Sequence, residues 1–174
     1  MSGSRPKALL ASAALVGGAL LMTGFQDSGA AARGGTASAG REPAGRVCGA
    51  ADLSWSARSE SRAGGYILIT AKAKPGITCT LPAALPTVAF GSDGTEAGPT
   101  GRTAGKRITL SGAATAYAGV NPKSTPGDDG KELQSIIVAI GDDDPEPVSL
   151  PVGAITVDKP VVTHWQTSPE DAVP

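Results

Sequence analysis

Few side chains in this sequence have the chemistry to make or break a covalent bond. There are two cysteines, Cys48 and Cys79, and one histidine, His164. The cysteines stand too far apart for a C-x-x-C redox pair, and two ligands without a neighbouring histidine are too few for a zinc site. A structural disulfide is the reading that remains, and closing a loop of that length contributes roughly 3–4 kcal/mol in the chain-entropy picture. A Ser-His-Asp triad would need His164 as its base. No G-x-S-x-G elbow occurs, and His164 lies near the C-terminal end between Thr163 and Trp165, where a terminal strand would turn it to solvent. No catalytic role is assigned to it.

The acidic runs Asp128-Asp129-Gly130 and Asp142-Asp143-Asp144 are the other chemical feature. Ca²⁺ takes six to eight oxygens from a loop of set spacing, D-x-[DN]-x-[DN]-G. Neither run has that spacing, and consecutive carboxylates point in different directions, so both read as solvated turns and no metal is expected. Carboxylates paired only in space, as glycoside hydrolysis requires, would not show in the sequence. Four tryptophans and tyrosines follow the first cysteine: Trp55, Tyr66, Tyr117 and Trp165. Trp55 reads as core packing near the disulfide; Tyr117 and Trp165 are the candidates for an exposed contact surface. Gly64-Gly65 and the stretch Gly98 to Gly105 lack the Lys-Ser/Thr and helix of a phosphate loop, so no cofactor is expected.

The elements that must position these residues come from a chain of 174 residues with a formal charge of −1, from 15 basic and 16 acidic side chains. That balance offers no field for nucleic acid or an anionic membrane surface. The 24 glycines and 14 prolines are well above average usage and point to many turns or unstructured segments. With two each of Trp, Tyr and Phe, a core must be built from Val, Ile, Leu and Ala. Such a core is thin, and small domains of this kind often need a covalent staple.

The beginning reads as an export signal, 1–30. Arg5 and Lys7 precede an uncharged apolar run, Ala8 to Met22, shorter than the roughly 20 residues that span a bilayer. Small residues around Ala30 and Ala32 satisfy the small-x-small rule, giving a mature start at Ala31 or Arg33. The competing reading is an uncleaved N-terminal membrane anchor. Leu21-Met22-Thr23-Gly24 has the look of a lipidation site, but Phe25 follows; a thioether link needs sulfur, so no lipid anchor forms there. Residues 31–46 are mostly Ala, Gly, Ser and Thr and bury too little to offset their ordering entropy. They read as a flexible tether.

From 47 to 166 the texture is period-two segments bounded by Gly, Pro and Asp. Leu53, Trp55 and Ala57 alternate with polar residues. In Tyr66 to Lys74, Ile67, Ile69, Ala71 and Ala73 share one face. Thr87 to Phe90, Arg107 to Leu110, Ala114 to Val120, Gln134 to Ile140, Val148 to Val152, Ile155 to Val157 and Val161 to Trp165 are the further strands. No helical period persists, so the expected fold is all-β: an antiparallel β-sandwich, immunoglobulin-like in general architecture, with one intradomain disulfide. Pro82, Pro86 and Pro151 should mark edges or strand starts, and 167–174 should be a flexible tail.

The ordered set Cys48, Asp52-Leu53, Gly64-Gly65, Cys79-Thr80-Leu81, Pro86, Val88 and Ile108-Thr109-Leu110-Ser111-Gly112 leading into Ala116-Tyr117 resembles the domain of unknown function 4232. That family is common in secreted proteins and lipoproteins of high-GC Gram-positive bacteria. The resemblance covers about Cys48 to Trp165 and implies an extracytoplasmic β-sandwich, with no assigned catalytic residues. Two departures are Phe25, where many members carry a lipidated cysteine, and Ser111-Gly112 in place of Pro-Gly.

The functional expectation is an extracytoplasmic, non-enzymatic binding or interaction domain for an extracellular or cell-envelope ligand, acting as a monomer without nucleic acid. The alternatives are an envelope hydrolase with spatially convergent carboxylates, and an inhibitor-like protein acting through the 121–130 loop.

Overall fold

The computed structural model describes residues 45–92, 94–101 and 104–174. The signal segment with Ala30 and Ala32, Phe25, and all of the 31–46 tether except Gly45 and Arg46 lie outside the described residues. Those two already belong to the fold, since the Thr80 N–H donates to the Arg46 carbonyl at 2.8 Å.

In chain order the strands are β1 (Leu53–Glu60), β2 (Tyr66–Ala73), β3 (Thr78–Leu81), β4 (Thr87–Phe90), β5 (Thr95–Glu96), β6 (Gly98–Pro99), β7 (Ile108–Ser111), β8 (Thr115–Asn121), β9 (Lys131–Ala139), β10 (Val148–Val157) and β11 (Val161–Val162). One sheet has the order β1-β2-β8-β11-β6, a second β10-β9-β4-β5, and β3 and β7 form a small third pair. Strand pairing within the sheets is antiparallel apart from β11 beside β6. The all-β sandwich expected from the alternation is the fold of the domain.

The core lies between the two larger sheets. Ile67, Ile69 and Ala71 of β2, Ala116, Ala118 and Val120 of β8, and Val88, Phe90, Ile136 and Val138 of β4 and β9 are all buried in one cluster. The disulfide joins Cys48 to Cys79 of β3, and both cysteines belong to that cluster. Thus the segment before β1 is tied, covalently and by the Cys48 N–H donating to the Thr80 carbonyl at 3.1 Å, to the small sheet at one end of the sandwich.

The strands expected at Val148 to Val152 and Ile155 to Val157 are one strand, β10, with a bulge between Pro151 and Ile155. It is the edge of its sheet, where a proline removes no ladder donor that a neighbour needs. The terminal strand is shorter than expected, Val161–Val162. The strand Thr78–Leu81, absent from the expected set, is only four residues long and takes its partner, β7, from a remote part of the sequence.

The expected flexible tail, 167–174, is instead packed. Ala172 is fully buried against Tyr66 and Leu68, with Tyr117 and Val173 beside them. The segment crosses the outer face of the first sheet so closely that a Cβ on Gly119 would lie 1.7 Å from the Ala172 carbonyl oxygen. This explains why β2 carries two large apolar residues on the face that its alternation assigns to solvent. Burying them supplies the apolar contact that holds the segment down.

Candidate functional site

At the end of the sandwich where β1 and β2 join, the two sheets part around a groove of about 350 Å³. One wall is the β1–β2 turn. Its residues Ala63, Gly64 and Gly65 have φ of 49°, 83° and 98°, a left-handed run that only glycine enters without strain. The Gly65 N–H donates to the Arg62 carbonyl at 2.8 Å and closes the turn.

The second wall is the segment leaving β8, with Asn121, Pro122, Lys123 and Thr125 lining the groove. This segment is fastened to the residues that follow β10. The Asp158 N–H donates to the Pro122 carbonyl at 3.0 Å, and the Ser124 N–H donates to the Asp158 carbonyl at 3.1 Å. The Thr125 hydroxyl donates to the Asp158 carboxylate, and the Lys123 ammonium donates to the Asp129 carbonyl. The 121–130 loop is therefore part of a wall along its first half. Ile155 and Thr156 of β10, with Ser59, Glu60, Tyr66 and Ile67 of β1 and β2, complete the lining.

Chemically the groove offers one ammonium, one carboxylate, several hydroxyls, one amide and the apolar side chains of Ile67, Pro122 and Ile155. Among the described lining residues Glu60 is the sole carboxylate and Lys123 the sole cation. Glu60 is held 2.6 Å from the Arg58 guanidinium. Two carboxylates flanking a bond, the requirement for glycoside hydrolysis, are not brought together here.

Other residues singled out in the sequence lie elsewhere. Trp165, expected on an exposed contact surface, is in the core: it is 2% exposed, its indole N–H donates to the Ile140 carbonyl at 3.1 Å, and its ring centroid is 6.0 Å from that of Trp55. An indole buried with its N–H satisfied serves packing. Trp55 packs against the core as expected. Tyr117 is half-buried beside the C-terminal segment rather than free. His164, expected on a solvent face, is half-buried.

The run Asp142–Asp144 is turn chemistry. The Asp144 carboxylate accepts from the Ile140 N–H at 2.9 Å and the Glu146 N–H at 3.2 Å, while Asp142 accepts from the Thr87 hydroxyl at 2.6 Å. Among the described residues no three of His, Cys, Asp and Glu gather as a metal set. At the disulfide end Asp52 receives both arms of the Arg46 guanidinium, at 2.8 and 3.0 Å, and the Gly49 N–H at 2.8 Å. These bonds, Arg46 first, hold its carboxyl below the usual carboxylate range.

A family model described as "Domain of unknown function (DUF4232)" matches residues 48–166. The chain belongs to that family. No curated protein and no solved structure matches it. The DUF4232 region begins at the first disulfide cysteine and ends beside Trp165, so it takes in both walls of the groove. The docked segment 167–174 lies beyond it.

Alternation did not reveal the groove, because its residues come from four separated stretches. The signals present in the sequence were the paired glycines of the β1–β2 turn and the Asn121-Pro122-Lys123 turn. Each is an ordinary turn signal alone, and only the fold puts them side by side.

Proposed function

We propose that this DUF4232 domain is an extracytoplasmic, non-catalytic binding module whose ligand seats in the groove between the β1–β2 turn and β10. The observation that carries this reading is the lining itself. A cleft that combines apolar side chains with a few convergent polar groups is the usual form of a small-ligand site, and here Ile67, Pro122 and Ile155 supply the first while Lys123 and Glu60 supply one charge of each sign. That pairing suits an amphoteric ligand with an amine and a carboxylate or amide, such as an amino acid, a short peptide or an amino sugar. The export signal read at 1–30 supports an extracytoplasmic place, as does the Cys48–Cys79 bridge, since disulfides persist in oxidising compartments. Fastening the 121–125 segment to Asp158 favours a preformed wall over a free inhibitory loop.

The test is calorimetric titration and thermal shift of the domain against amino acids, dipeptides and amino sugars, with Thr156→Trp to fill the groove and Lys123→Met to remove its cation. At least one class should raise the melting temperature of the unsubstituted domain, and both variants should bind it at least tenfold more weakly. Ligands bound equally by the variants would place the site elsewhere. Turnover of a probe that disappears in Glu60→Gln would replace the module with a hydrolase.

A further inference from the structure

The sandwich treats its strand edges unequally. On one side the chain crosses from β5 of one sheet through buried Ala97 to β6 of the other, closing that side. On the other side the edges are β1 and β10. β10 is guarded: Pro151 lies in it, a bulge follows, and Gly153 within the bulge has φ of 75°. Bulges and proline are how sheet edges resist pairing with another chain. β1 has neither. It pairs with β2 through eight consecutive positions, Leu53↔Ala73 to Glu60↔Tyr66, without a shift.

The pairing also fixes which backbone groups face outward. The Lys74 N–H donates to the Asp52 carbonyl at 2.9 Å, so in an antiparallel ladder Ser54, Ser56 and Arg58 are the next hydrogen-bonded positions toward β2. The N–H and C=O groups of Trp55, Ala57 and Ser59 then point away from β2, and no backbone partner is recorded for them among the described residues. Such a row is a template for another extended backbone.

We propose that β1 is a docking edge for an extended segment of a partner polypeptide, added antiparallel or parallel as a further strand of the first sheet. Its side-chain pattern follows from the two faces of β1. On the inner face Trp55 and Ala57 are half-buried against the core, which calls for apolar residues at every second position. On the outer face Ser54, Ser56 and Arg58 are exposed, which calls for hydroxyl or acidic residues between them. This is strand addition, in which backbone bonds give affinity and alternate side chains give specificity. It goes beyond the groove reading.

The experiment is selection of ten-residue peptides from a displayed random library on the folded domain, followed by amide hydrogen exchange with one enriched synthetic peptide. Peptides alternating apolar with acidic or hydroxyl residues should be enriched, and the exchange of the Trp55, Ala57 and Ser59 amides should slow at least tenfold on binding. Ala57→Pro deletes an outward N–H without touching the β2 ladder and should abolish binding. In case that variant does not fold, the same peptide N-methylated at alternate residues, offered to the unsubstituted domain, should also fail to bind. The proposal is overturned by no enrichment of the alternating pattern, by binding that leaves those three amides exchanging at the free rate, or by undiminished binding to folded Ala57→Pro or of the N-methylated peptide.

Discussion

The two ends of β1 are built on opposite plans. At its start, Leu53 is 2% exposed, and the preceding residues are joined to β3 by the disulfide and to Asp52 by the bidentate Arg46 contact. At its finish, the chain runs into three successive left-handed residues and the sheets part around a cleft. The same strand is thus pinned at one end and leads into the binding candidate at the other. A small domain with a thin core concentrates its covalent stabilisation where the packing is, and keeps strain beside the place where a ligand can seat.

The largest effect should come from removing the pin. Cys48→Ser/Cys79→Ser should lose roughly 3–4 kcal/mol and melt about 10 °C lower or more. Ligand affinity at the groove, measured below that melting point, should be unchanged. An equal melting midpoint, or two titratable thiols in native protein, would dissolve the contrast between the ends.

Gly119→Ala comes next. Its Cβ would collide with the backbone of Ala172, so the C-terminal segment must move, at a cost of about 1–3 kcal/mol for overpacking. Proteolysis should then cut within 167–174 in the variant and spare it in the unsubstituted domain. Equal resistance would mean that the docking does not need glycine there.

A smaller pair of changes reverses sign between β1 and the turn that follows it. Ala63→Gly, at φ 49°, should leave stability unchanged or raise it by up to about 1 kcal/mol, because left-handed backbone penalises a Cβ. Ala57→Gly, within the strand, should cost roughly 0.5–1 kcal/mol. Urea unfolding of both measures the difference, and costs of the same sign would remove the strain from the groove end.

The smallest effect is on acid stability. Asp52 titrates below its ordinary range when folded. Its contribution is therefore complete above the unfolded carboxylate pKa of about 4 and is lost as pH falls through the lower folded value. Asp52→Asn should flatten that part of the melting temperature profile between about pH 5 and 2. Arg46 is exposed and Asp52 half-buried, so salt should weaken the effect in part.

Much of the fold was legible in particular residues. The period-two pattern of Leu53 to Arg58 and of Ile67 to Ala73 marks β1 and β2, because a half-buried strand must alternate. Leu68 broke the pattern, and the break was informative in hindsight: it is the imprint of the segment that covers it. Trp165 misled because an aromatic near a chain end carries no local sign of being inside; its neighbours Trp55 and Ile140 are distant in sequence.

What the sequence determined by itself was local. Alternation set the strands, and glycine and proline set the turns, each through the chemistry of a few adjacent residues; with only two cysteines in the sequence, one bridge alone was possible. The tertiary structure alone decided which acids stand apart, that Tyr66 and Leu68 are covered by Ala172, and that the β1–β2 turn meets Lys123 and Thr156 around one cleft. It also left β1 as the smooth edge and β10 as the bulged one. These are relations between segments tens of residues apart, settled by how two sheets stack and where their edges end, and no short window of sequence carries them.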